Sequence, residues 1–294
     1  MKIIISRKGL DSSFGNISSF ILPDGKMCWL PIPENDKRKE LYQYNDLMFY
    51  GNSLGEIVEQ LSLGKILKSS TVHLDPDIFP FYVDRDLQWH PLFGQTGAAE
   101  SHLRNCDVGR GDIFLFFGWF RYVERIGDKY RYVSNAPDLH VLYGWFQIQD
   151  KVKVSKYTPD QSWMRRHTHF QGDVYREELD TVYFPTEKLY LDGKITGLCG
   201  TGYFPRIHKD LILTAQNQNR SVWQLPKWFY PQMGKKPLSY HNNLSRWTLA
   251  ENSVTLKSVG RGQEFVLDAI DYPESIQWIS DLITKHGVGS YFAE

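Results

Sequence analysis

Phe117-Gly118-Trp119-Phe120 and Tyr143-Gly144-Trp145-Phe146 are nearly one phrase said twice, each inside a long apolar run. The runs, 112–122 and 139–148, are rich in β-branched and aromatic residues and flank the turn former Gly127-Asp128-Lys129, so both are expected as β-strands. A glycine inside such a strand marks a bulge, a barrel corner, or the close approach of a ligand or second backbone. Two of them in neighbouring strands predict a small, tightly curled sheet with aromatic walls. A short helix over 96–106 and the punctuation Gly109-Arg110-Gly111-Asp112 precede the first strand.

The same patterning extends through the chain. Strands are expected at 2–6 and 71–74, and a hairpin over 20–30 around Pro23-Asp24-Gly25-Lys26. Ser53-Leu54-Gly55-Glu56 spells a capping box opening a helix to about Leu63. Further strands follow at 181–184 and 211–214, with a hairpin at 190–195 through Asp192-Gly193 and another at 254–268 about Gly260-Arg261-Gly262. Pro273 opens a closing helix whose Ile276, Ile279, Leu282 and Ile283 share a face, and Gly287 ends it. No Gly/Ser linker or repeat divides the 294 residues. The expectation is one composite α+β domain over 1–294: N-terminal α/β elements to residue 90, then a β-barrel with a C-terminal extension, and a few peripheral helices.

Lysine plus arginine and aspartate plus glutamate number 34 each, so no whole-molecule field points to nucleic acid or acidic membranes. Three scattered cysteines lack CxxC spacing, so neither a disulfide framework nor a zinc finger is indicated and a reducing compartment is expected. Neither a signal-peptide core nor a membrane-spanning run occurs, and a cytoplasmic location is expected. Aromatics make up 15%, including nine tryptophans, enough to fill a β core or to grip a flat ligand.

Several constellations carry chemistry. The loop Gly9-x-Asp11-Ser12-Ser13-x-Gly15 offers amides and hydroxyls to a phosphate or hydroxyl, equally the residues of an ordinary Asx/Ser turn. His73-x-Asp75-x-Asp77 leaves a strand end with an imidazole and two carboxylates, a set suited to acid/base work or a divalent metal, or else to capping a loop. His167-x-His169 is a second possible ligand pair. Gln95 and His102 flank the first helix of the barrel segment, one fit to read a base edge, the other to move a proton. Trp119 and Trp145 are candidate stacking walls, with barrel core as the alternative for each. Arg220, Trp223, Lys235, Lys236 and His241 are further binding candidates, the cations as phosphate contacts. Hydrolase, metalloprotease and dinucleotide signatures are missing, and nothing specifies a cofactor.

Gly97-Ala98-Ala99-Glu100-Ser101-His102-Leu103, followed by 109–120 and 140–148, resembles the helix and two strands of PUA-like barrels, especially the EVE and ASCH branches. That resemblance implies a cleft receiving a single nucleobase. Over nearly the whole length, Ser6-Arg7-Lys8-Gly9-Leu10-Asp11-Ser12-Ser13, His73-Leu74-Asp75-Pro76-Asp77, Phe93-Gly94-Gln95-Thr96-Gly97, Trp223-Gln224-Leu225-Pro226 and 262–268 resemble the third family of nucleotide-modification-associated domains. The resemblance implies microbial, phage-linked company with DNA-base-modification systems and carries no catalytic residue set. Together with the candidate residues above, the expectation is a protein that binds a nucleotide, or a base flipped from DNA, through Gln95, Trp119 and Trp145, with Ser12, Ser13, Arg220, Trp223 and His241 as further contacts. Asp11, Asp75, Asp77 and His102 are its candidate acid/base groups, and His73, Asp75 and Asp77 its candidate metal ligands. An enzyme on free nucleotides or nucleotide-sugar precursors and a non-catalytic adaptor are the alternatives.

Overall fold

A computed structural model describes residues 1–10, 17–34, 41–171, 179–232 and 234–290. Six of the eleven described strands of its principal sheet form its main path: β1 (Lys2–Arg7), β2 (Phe93–Gln95), β3 (Ile113–Ile126), β4 (Leu139–Lys153), β5 (Thr181–Pro185) and β6 (Glu264–Asp268). Their order is β6-β1-β3-β4-β5-β2, all neighbours antiparallel except β1 and β3. Strands covered on both faces read as unbroken apolar runs. Ile3, Ile4 and Ile5 in β1 and 113–117 in β3 are buried accordingly. The sheet curls into a half-barrel lined by Phe93, Phe114, Phe116, Tyr143 and Tyr183, whose rings meet one another edge-on or stacked.

The twin glycines mark a bulge and two close approaches. Gly118 faces Val141 and Gly144 faces Phe116, with a register shift at Tyr143 between them. A Cβ on Gly118 would sit 3.0 Å from the Lys8 carbonyl oxygen, and one on Gly144 would meet the Gly202 carbonyl oxygen at 2.9 Å. Both strands therefore surrender a side chain so that a second backbone can pass.

Three α-helices accompany the sheet among the described residues: α1 (Leu54–Leu61), α2 (Gly97–Asn105) and α3 (Glu274–His286). Ser53 stands at the α1 N-cap, but its side chain makes no cap hydrogen bond, so the expected capping box is not formed. Helix α2 is tied to β5 through the buried Glu100 carboxylate, which accepts from the Tyr183 hydroxyl at 2.6 Å and the Thr181 hydroxyl at 3.0 Å. Two further expectations are corrected. Residues 254–268 are not a hairpin: strand Ser253–Lys257 joins Val222–Pro226 and Trp247–Leu249 in a separate sheet, while 264–268 enters the half-barrel as β6. Residues 211–214 form a 3-10 turn and isolated bridges, because they cross the ends of two sheets rather than run along one. Among the described residues no helix is long and apolar enough to cross a membrane.

Strands β2 and β6 are the unpaired edges of the half-barrel. Side chains bridge them: Gln95 Nε2 donates to Glu264 Oε1 at 2.5 Å, and the Lys8 ammonium lies 3.0 Å from that oxygen. The Glu264 side chain is fully buried, that of Lys8 is 9% exposed, and the ammonium rests 4.6 Å above the Phe93 ring. Removing one member of a buried ion pair strands the other charge, at about 3–5 kcal/mol. Glu264→Ala is expected to lower unfolding stability by about that amount in urea titration, and Glu264→Gln, which keeps the Gln95 contact, by less. Equal, small losses in both would show that the bridge does not hold the seam.

Candidate functional site: a cationic aromatic cleft and a buried histidine cluster

At the rim of the half-barrel, β1 delivers two consecutive cations to different surroundings. The Lys8 amide donates to the Phe117 carbonyl at 2.9 Å, and its ammonium turns inward to Glu264. Arg7 lies instead against the rings of Phe117 and Phe265, its guanidinium donating to the carbonyls of Val259 and Gly260. Gly9 follows with φ of 86°, the left-handed region that glycine tolerates, and passes close under the Leu30 carbonyl.

Strands β3 and β4 complete a cleft of about 370 Å³ with Trp119 and His140, cross-strand partners on the outer face of the sheet. Arg220 lies over the Trp119 ring at 4.3 Å, and the indole N–H donates to Asp138 at 2.7 Å. Asn219 and Ser221 add polar groups, and none of the described lining residues is acidic. Fully buried Trp223 stands behind the wall and donates its indole N–H to His140 Nδ1 at 3.0 Å. An indole nitrogen is only a donor, so Nδ1 accepts and the proton of neutral His140 sits on Nε2. Burial, reinforced by the charges of Arg7 and Arg220, pushes the His140 pKa down to about 3. The cleft thus combines fixed positive charge, a flat aromatic surface and a neutral imidazole donor.

A second cluster lies against β2. The Gly94 amide donates to Asp75 Oδ1 at 2.6 Å, and the His167 and His169 Nε2 atoms stand 3.5 and 3.9 Å from the two oxygens of that carboxylate. His73 joins from strand Thr71–His73, its ring 5.2 Å from that of His169. Burial opposes charge on Asp75, but the neighbouring imidazoles of His167, His169 and His73 outweigh it and hold its pKa down at about 2. Gly94 is required here because any Cβ would run into the His169 ring.

The expected residues therefore divide among several places. Trp119 and Arg220 share the cleft, with Trp223 supporting it. Trp145 lies elsewhere on that outer face, 1% exposed against Phe204 and Gly202, its indole N–H on the Cys199 carbonyl. Gln95 spans the barrel seam. His102 lies in the last turn of α2, its Nε2 3.0 Å from the Ser239 hydroxyl and its ring beside Tyr240. His241 is buried between the Ser239 carbonyl and the Val259 amide. Asp77 does not join Asp75: Arg85 grips its carboxylate with two bonds of 2.6 and 2.9 Å. Lys235 covers the Tyr272 ring, and the Lys236 amide binds Asp271. Asp11, Ser12 and Ser13 lie outside the described residues. Arg7, Lys8 and His140 were missed as site residues. Arg7 and Lys8, two consecutive cations at the end of the isoleucine-rich strand β1, were the available signal for the first pair.

Fold and site together define a β-rich α+β half-barrel protein with a cationic, aromatic-walled cleft. The chain belongs to the nucleotide modification associated domain 3 family, whose model matches residues 2–268, and this ties it to nucleotide modification. No curated protein and no solved structure matches it.

Neutral buried histidines make stability depend on pH. Burial also takes the His241 pKa down to about 4. The unfolded chain binds these protons below about pH 6.5 while the fold does not. Stability is therefore full above that pH and falls as pH drops, by about 1.4 kcal/mol per unit for each histidine until its folded pKa is reached. Urea midpoints are expected to fall steadily below about pH 6.5, and His140→Gln, which still accepts from Trp223, to make that fall shallower. A slope unchanged by the substitution would contradict a neutral buried His140.

Proposed function

We propose that this protein binds a single nucleotide unit in the rim cleft, with phosphate at Arg220 and Arg7 and the base flat on Trp119. The observation that carries this reading is the Arg220 guanidinium lying 4.3 Å over the Trp119 ring, in a cleft where no described lining residue is acidic. Guanidinium forks match phosphate oxygens, and an indole face stacks any base. The Arg220 fork is positioned to take phosphate as the base takes the ring face. The His140 Nε2–H, held neutral, is a donor for a base edge or sugar oxygen. Membership of a nucleotide-modification family fits this ligand class.

The formal charge of zero and the small number of cleft cations favour one nucleotide, free or extruded from a strand, over the length of a duplex. In the extruded case the protein reads or presents the base to be modified; in the free case it acts on a precursor. Salt separates these from extended duplex binding: one phosphate held by two guanidinium groups gives a slope of log K against log salt of about −1, whereas a duplex track gives several times that.

Calorimetric titration with deoxynucleoside monophosphates and short single strands tests the reading. Trp119→Ala is expected to weaken binding by about 1–3 kcal/mol through lost stacking. Arg220→Ala is expected to weaken phosphorylated ligands while leaving the weaker affinity for the nucleoside nearly unchanged. Binding of wild-type strength in both variants, or no nucleotide binding by the parent, would sink the proposal.

A further inference from the structure

The buried cluster beside β2 has the composition and support of a metal centre. One donor atom each from His73, Asp75 and His169 lie within 4.8 Å of one another. Small side-chain rotations bring such donors to the roughly 2.0–2.2 Å that nitrogen and oxygen ligands keep from a first-row metal. The sequence spelling pointed instead to Asp77 as the third ligand, and the structure commits that carboxylate to Arg85.

The surroundings match what ligating imidazoles need. A metal-bound histidine usually gives its other ring nitrogen to a carboxylate, which fixes the tautomer and raises basicity. His169 Nδ1 lies 2.6 Å from the fully buried Asp180 carboxylate, and its Nε2 faces Asp75. His73 Nδ1 lies 3.4 Å from Glu34 in the same relation. The Gly94 amide orients Asp75 from behind.

His167 is the independent observation. Its side chain is 2% exposed and points at Asp75 from 3.5 Å, and neither ring nitrogen has a hydrogen-bond partner among the described residues. A buried imidazole without partners is costly unless something in the site engages it. It also lines a cavity of about 300 Å³ with Trp89, Trp163 and Arg166, which gives the cluster an approach.

We propose that His73, Asp75 and His169 bind a divalent first-row transition metal, with His167 as a fourth donor and Asp180 and Glu34 positioning the imidazoles. Two or three imidazoles with one carboxylate favour zinc, iron, cobalt or nickel over magnesium or calcium, which prefer all-oxygen shells. The proposal does not depend on nucleotide binding at the rim.

The test uses the full chain, stripped with a chelator and titrated with Co²⁺ and with Zn²⁺. A second His/Asp group, His208, Asp210 and His286, lies nearer the surface, so the titrations are made on the His208→Ala/His286→Ala background. One ion per chain is expected, with cobalt d–d bands typical of nitrogen and oxygen donors. Asp75→Asn with His169→Gln should abolish stoichiometric binding in a protein whose circular dichroism is unchanged. Asp180→Asn should weaken affinity by about 10–100-fold and shift the bands, as a positioning residue would. No cobalt bands in the folded parent, or one-to-one binding that survives the double substitution, would overturn the assignment.

Discussion

The half-barrel depends on one buried polar bridge. Strands β2 and β6 are the two edges of a sheet that curls without closing through backbone bonds, and the gap is spanned by Gln95, Glu264 and the Lys8 ammonium. Three polar side chains in an aromatic interior would be a liability if any lost its partner. Together they make closure specific: the contact requires β6 in the register that aims Glu264 inward. The same requirement explains why 264–268 leaves its sequence neighbours and joins the half-barrel while 253–257 pairs in another sheet.

That bridge also places the rim cleft. With Lys8 anchored inward, the chain presents Arg7 on the opposite side, against Phe117 and Phe265 and next to Trp119 and His140. Trp223 then serves the cleft from behind: its indole fixes the His140 tautomer, and its ring packs edge-on against Phe117. Among the described residues, two acids beside the cleft are already occupied, Glu264 by Lys8 and Asp138 by the Trp119 indole, which leaves its positive charge without a described lining carboxylate. The histidine cluster is organised differently, around Asp75 and the missing side chain of Gly94, and no member of it lines the cleft.

Local patterning made much of this legible in the sequence. Continuous apolar runs gave the central strands, and Pro273 and Gly287 bounded α3 at the residues where it begins and ends. The paired glycines pointed to close backbone approach, which Lys8 and Gly202 make. Trp119 and Arg220, both candidates from the sequence, share the cleft, but Trp145, alike in spelling, does not join them, since its ring fills space against Phe204 and Gly202. What stayed hidden were associations set by the fold. His73-x-Asp75-x-Asp77 looked like one unit, yet Arg85 takes Asp77 away, and His169 arrives from a distant 3-10 turn. Neither substitution of partners leaves a local trace, because spacing encodes neighbours only while the chain stays regular.

The most direct measurement is a crystal structure of the protein soaked with a deoxynucleoside monophosphate. The account predicts the phosphate at Arg7 and Arg220 and the base against the Trp119 ring, with the Trp223–His140 bond intact. A nucleotide seated elsewhere, for example in the cavity at Trp89 and Trp163, with Arg220 still covering Trp119, would contradict it.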